Sequence, residues 1–290
     1  SFSSLGLICS DTNMLRNSKL TAIIFSLLST SAMALAASKT VLVTGASRGI
    51  GRELCKVLLQ DHNDIHVLLG SRSASKGKKV ADELIELIGK ECGDRLEVVE
   101  MDTASDESVQ KAAQQISQNH KELYGIVNNA GIAWGHPNED IMNTNYWGPR
   151  RVNEALTKLL KRPGGRIVNV ASASGPNWLS RVTDKTLKSK LAMPWTIEGG
   201  IKELDEMAKS MKLSEQSTYG ISKAFLNAYT TLQAQAEPEL IINSVTPGFI
   251  ATDMGTALGA TNPVEMGVKC PLYALLDEEL EKVPTGRYYG

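Results

Sequence analysis

The run Lys39-Thr40-Val41-Leu42-Val43 is rich in β-branched residues and ends directly on Thr44-Gly45-Ala46-Ser47-Arg48-Gly49-Ile50-Gly51. An apolar pattern of helical period follows over residues 50–60. A strand that passes through one glycine-rich turn into a helix leaves few fold classes open. The helix has to pack back on the sheet that holds the strand, which is the first half of a parallel crossover unit. Glycines in that turn let the backbone bend tightly and approach a ligand. The helix then offers unpaired N–H groups and a positive dipole end, the ingredients of a pyrophosphate cradle. The spacing is Gly-x-x-x-Gly-x-Gly, so it is the position between strand and helix that gives the pattern its weight.

The same rhythm continues along the chain. Residues 66–69, 96–99, 123–127, Arg166–Val170 and Ile241–Val245 read as further strands. Residues 74–90 and 105–120 read as helices, the first with Val80, Leu84, Leu87 and Ile88 at helical spacing, the second with Ser105 and Ser108 as capping options. Alternating strands and helices predict an α/β fold, a doubly wound parallel sheet with helices on both faces. Ligands in such sheets bind at the carboxyl ends of the strands, where the strand order reverses.

The chain has 290 residues, 42% of them hydrophobic, enough for one large α/β core. A formal net charge of −1 gives no electrostatic reason to expect nucleic acid or an anionic membrane as partner. Cys9, Cys55, Cys92 and Cys270 are scattered and predict free structural thiols. The four histidines include no His-x-x-x-His, so no metal site is expected. Residues 1–37 differ from the rest. A basic stretch from Met14 to Lys19, an apolar run over 20–28 and small residues over 29–37 follow the order of a secretory signal peptide. The apolar run is short for a membrane span. The chain thus divides into a leader, 1–37, and a domain, 38–290. The leader predicts the secretory pathway or an organelle if it is used, and the cytoplasm otherwise.

Two features speak to chemistry. At the end of the second strand stands Leu69-Gly70-Ser71-Arg72, with no acid to bond adenosine ribose hydroxyls. Arg72 there and Arg48 in the glycine loop suit a 2′-phosphate, which predicts NADP(H). Further on, Tyr219 and Lys223 lie four apart, on one side of a helix. An ammonium beside a phenol favours the phenolate, and a phenol so tuned can exchange a proton with a carbonyl oxygen.

With these residues in place, the chain from about residue 39 to 289 resembles the short-chain dehydrogenase/reductase family, whose fold is of the Rossmann kind. The glycine loop fits that family's first motif, which assigns Gly45, Ser47, Arg48, Gly49, Ile50 and Gly51 to the cofactor. Asn128-Asn129-Ala130-Gly131 matches its motif after strand four, placing Asn129, Ala130 and Gly131 beside the cofactor. Asp102 falls where the family contacts adenine. Asn145 and Ser172 align with a catalytic asparagine and serine, and Tyr219 and Lys223 with the catalytic tyrosine and lysine, which also contact the cofactor. Pro247-Gly248-Phe249-Ile250-Ala251-Thr252 matches the loop after strand six, adding Pro247, Gly248, Ile250 and Thr252.

Within the family the chain looks most like carbonyl reductases and plant ketone reductases. Ser172 and Tyr219 stand 47 residues apart, far more than in the common form. The resemblance implies a helical insertion at about 178–214 that covers the face other members use to dimerise, and hence a monomer. It implies an NADPH-dependent reduction of a ketone, aldehyde or quinone, with Tyr219 as proton donor, Ser172 holding the carbonyl oxygen, Lys223 lowering the tyrosine pKa and Asn145 holding a relay water. Trp134, Ala173, Trp178, Trp195, Phe249 and Met254 are candidates for an apolar substrate pocket. An oxidative alcohol dehydrogenase and a non-catalytic dinucleotide sensor remain alternatives. The chain departs from the family in its leader and in its carboxyl end, where the last predicted strand begins and stops within 284–290.

Overall fold

The computed structural model describes residues 39–290 except Leu258 and Pro284. The predicted leader and Cys9 lie outside the described residues. The first half runs β1 (Lys39–Val43), α1 (Gly49–Asp61), β2 (Ile65–Ser71), α2 (Ala74–Ile88), β3 (Leu96–Glu100), α3 (Asp106–Asn119) and β4 (Gly125–Asn128). Then come α4 (Asn138–Met142), α5 (Gly148–Leu156), β5 (Arg166–Val170), α6 (Ser174–Arg181), α7 (Lys185–Ala192), α8 (Gly200–Lys209) and α9 (Thr218–Ala236). β6 (Ile241–Val245), α10 (Asp253–Thr256), α11 (Val264–Gly267), α12 (Lys269–Leu276) and β7 (Tyr288–Tyr289) complete it.

The strands form one parallel sheet in the order β3-β2-β1-β4-β5-β6-β7. The order reverses between β1 and β4, as the predicted doubly wound sheet requires. Strand period fixes which side chain meets which layer. Val41 and Val43 of β1 point to the face covered by Leu54, Leu58 and Leu59 of α1, Leu84 of α2 and Leu275 of α12. Leu42, between them, points to the face covered by Ile116 of α3 and Val152 and Leu156 of α5. Each such fully buried leucine contributes about 1.5–3 kcal/mol of transfer free energy. β4 starts later than the apolar run suggests. Leu123 makes an isolated bridge to Leu160, and the ladder with β1 begins only at Gly125.

The predicted insertion is helical, and its helices pack on α9. Leu191 of α7, Ile197, and Leu204 and Ala208 of α8 share a core with Ile221, Phe225, Leu226 and Tyr229 of α9. A polar clamp fixes this layer. Asp205 accepts hydrogen bonds from Tyr146 Oη at 2.6 Å and from Arg150 Nε and Nη2 at 3.2 and 2.8 Å. Trp178, read as the start of the insertion, belongs instead to α6, a continuous helix that begins at Ser174. Cys55, Cys92 and Cys270 are free thiols. Among the described residues no helix is long and apolar enough to cross a membrane.

Candidate active site

A cavity of about 830 Å³ opens at the carboxyl ends of the strands, beside the β1–β4 switch point. One end is walled by Gly45, Ser47, Arg48, Gly49 and Ile50, the other by Tyr219 and Lys223. Between them lie Arg72, Asp102, Asn129, Ala130, Gly131, Pro247 and Thr252. Fourteen of the residues predicted for cofactor contact thus share one wall.

The glycine end meets the needs of a phosphate. Gly45 takes φ +64°, and a Cβ there would lie 2.7 Å from Ala130 Cα. The helix that follows has no side-chain cap and no acid in its first turn, so its leading N–H groups and positive end face the cavity uncompensated. These observations fit a dinucleotide pyrophosphate. Thr44, which sequence reasoning passed over, joins the two central strand ends. Its Oγ1 accepts from the N–H groups of Asn129 and Ala130, both at 3.1 Å. The signal was its place between strand and glycine. Asn129 returns Nδ2 to the Thr44 and Gly45 carbonyls at 3.0 and 3.3 Å.

Three predicted cofactor residues are not on the cavity wall. Gly51 is a packing position, where a Cβ would meet Asn129 Nδ2 at 2.5 Å. Ile250 is buried, and its backbone bridges to Asn262. Gly248 takes φ +88° and shapes the turn rather than the wall. Arg48 departs from expectation in another way. Its Nη1 donates to Asp253 Oδ2 at 2.7 Å, so this guanidinium is already paired with an acid at the start of α10. Arg72 is exposed and lines the cavity.

At the far end, α6 and α9 cross closely. A Cβ on Gly220 would lie 2.7 Å from Trp178 Cβ, and one on Gly175 would lie 2.9 Å from the Ala224 nitrogen. Glycine at these two points brings Ser172, just ahead of α6, to the Tyr219 hydroxyl at the start of α9. Burial pushes the Tyr219 phenol above its ordinary pKa, and the Ser172 hydroxyl opposes this only in part. This corrects the expected lowering by Lys223. The Lys223 ammonium lies 5.8 Å from the Tyr219 ring centre, and Nζ donates to the Val170 carbonyl at 2.8 Å. Burial brings Lys223 itself down to about 8.

Asn145 is fully buried in the π-helical turn Asn143–Trp147 and lies behind the wall. Its Oδ1 accepts from Ile132 N at 2.9 Å. Nδ2 donates to Ile132 O at 2.8 Å and to Ser222 Oγ at 3.1 Å. Both its N–H groups are therefore engaged in holding the strand-four loop against α9, and one lone pair of Oδ1 remains for a relay. Ser222 is a positioning residue that the sequence reading missed, though it lies inside the Tyr219–Lys223 run. Of the expected pocket residues, Met254 lines the cavity. The Trp134 ring lies 5.0 Å from that of Tyr219 and is 43% exposed. Trp178 packs on α9, while Trp195 and Phe249 are exposed.

A family model described as short chain dehydrogenase matches residues 39–183. A (+)-neomenthol dehydrogenase of Arabidopsis thaliana is 31% identical, over 86% of this chain and 94% of that protein. Carbonyl reductase [NADPH] 1 of Sus scrofa is 27% identical, over 87% and 91%. The solved structure of salutaridine reductase from Papaver somniferum superposes with a TM-score of 0.73 at 24% identity, over 87% of this chain and 99% of that one, which shows a shared fold.

Proposed function

The chain belongs to the short-chain dehydrogenase family, and from that membership we propose that it is an NADPH-dependent reductase of ketones, aldehydes or quinones. The observation that carries the reading is the single cavity with an uncapped helix N-terminus at one end and Tyr219 with Lys223 at the other.

The residues that would hold the dinucleotide are the loop from Gly45 to Ile50, Asn129 to Gly131, Asp102, Pro247 and Thr252. A bound reduced nicotinamide supplies the hydride. Tyr219, kept protonated by burial, gives its phenolic proton to the oxygen on which charge develops. Ser172 donates to that same oxygen, and the donation strengthens as charge builds. Lys223, held by Val170 O, places a cation beneath the phenol once the proton has left. Asn145 fixes the loop opposite and offers Oδ1 to the proton path. Arg72 and the acid-free end of β2 support NADPH over NADH, with Arg48 joining once it leaves Asp253. The name of the Sus scrofa relative supports the same cofactor. Exposed aromatic surface at Trp134 favours an apolar substrate body.

The opposite direction, oxidation of an alcohol, is the second reading, because the name of the Arabidopsis thaliana relative is that of a dehydrogenase. The covered α9 face supports a monomer. The segment ahead of residue 38 supports a targeting leader, to be checked by sequencing the mature N-terminus.

The test is cofactor oxidation against a panel of ketones, aldehydes and quinones, with the matching alcohols run in reverse. The expected result is turnover with NADPH, tighter binding of NADPH than NADH by fluorescence titration, and a loss of at least about 10²-fold in Tyr219→Phe with NADPH binding retained. Full activity in Tyr219→Phe, or no turnover in either direction, would overturn the catalytic reading. Tighter NADH binding would overturn the cofactor assignment.

A further inference from the structure

Local spacing gave no reason to expect a metal, but the fold assembles three ligand types from three separate elements. His66 is the second residue of β2, Glu97 the second of β3, and His120 follows the last turn of α3. Their ligand atoms all lie within 4.8 Å of one another. His120 Nε2 stands 2.9 Å from Glu97 Oε2, and the two imidazole rings are 5.3 Å apart. Ser71, at the other end of β2, lines the cavity, so this cluster lies about 17 Å away along the strand.

His66 Nε2 is buried and has no hydrogen-bond partner. A buried polar atom without a partner costs about 1–3 kcal/mol. The Glu97 carboxylate is already oriented. Gln115 Nε2 and Asn119 Nδ2 reach Oε1 at 3.2 and 3.5 Å, which leaves Oε2 turned to His120. Outer contacts of this kind orient a carboxylate ligand. The Glu97 and His120 side chains keep 26% and 14% exposure, so an ion from solution has access.

We propose that His66, Glu97 and His120 form a divalent transition-metal site, suited to Zn²⁺, that ties the end of α3 to β2 and β3 at the sheet edge remote from the cavity. Two imidazoles and a carboxylate with a fourth position for water is a donor set this ion accepts, with bonds of about 2.0–2.2 Å. Tetrahedral bonds of that length set donors about 3.4 Å apart, so His120 Nε2 and Glu97 Oε2 would part slightly from 2.9 Å while the wider separations, within 4.8 Å, close. The neighbouring Arg95 donates to the carbonyls of Leu59, His62 and Ile65 and is held there.

The test is zinc titration of the chelator-stripped protein against a chromogenic chelator, with thermal unfolding followed in parallel. One equivalent of zinc per chain and a raised Tm are expected. His66→Asn and His120→Asn should each weaken uptake at least about tenfold. Glu97→Gln, which preserves the shape of the side chain, should weaken it too and guards against a folding artefact. Carbonyl turnover should be unchanged in all three. Uptake that the three substitutions leave intact would assign the zinc to other histidines, such as His62 or His136, and overturn the proposal. Absence of uptake by the wild type would also overturn it.

Discussion

Lys223 is 4% exposed, and burial holds its ammonium near a pKa of about 8 rather than 10.5. The folded value lies below the unfolded one. The stability tied to this group is therefore full above about 10.5 and is lost as pH falls through about 8. At neutral pH the fold thus carries a desolvated charge, at a cost on the order of 3 kcal/mol. Losing the donor to Val170 O costs about 1–3 kcal/mol. Lys223→Met should therefore unfold at or above the wild-type Tm at pH 7, while turnover falls at least about 10²-fold. A large drop in Tm by scanning fluorimetry would show that the bond to Val170 outweighs the buried charge. Residue types and spacing were enough to point to the Tyr219–Lys223 pair. The direction of the tyrosine shift was not legible, because it depends on how deeply other elements bury the phenol.

At the scale of elements, α9 serves two layers. Its first turns carry Tyr219 and Lys223, and Ile221, Phe225 and Tyr229 hold the insertion. Asp205 is the polar anchor between them, its side chain 16% and that of Arg150 19% exposed. Asp205→Ala leaves Arg150 and the Tyr146 hydroxyl without their partner and should cost about 3 kcal/mol. Urea unfolding checks this, and a change under 1 kcal/mol would mean the clamp is replaced by water. The sequence showed a charged helical stretch here. It did not show that one acid of that stretch turns inward, because Tyr146 and Arg150 lie more than fifty residues away in the chain. The strands were legible nearly to the residue where both faces are buried, as in β1, β5 and β6. They were less so at β4, where an apolar run also served a bridge to Leu160.

For the molecule as a whole, the insertion packs on α9 and covers the apolar face that carries Ile221, Phe225 and Tyr229. Light scattering behind size exclusion should give the mass of one chain at micromolar concentration. A stable dimer would mean association through another surface. The fold class and the glycine loop were legible because each rests on local pattern, whereas Asn145 and Ser172 stood out only through the family resemblance. The Arg48–Asp253 pair and the His66–Glu97–His120 cluster were not legible, since their members are brought together by topology alone. That topology has a further consequence for how the protein is made. Thr44 N bonds to Val127 O at the centre of the sheet, 83 positions further along the chain. At about 5–20 residues per second, roughly 4–17 s pass on the ribosome between their syntheses. Until β4 emerges, the inner edge of β1 and the glycine turn beside it stay unpaired, and a nascent chain in that interval presents a row of unsatisfied backbone N–H and C=O groups to whatever surrounds it.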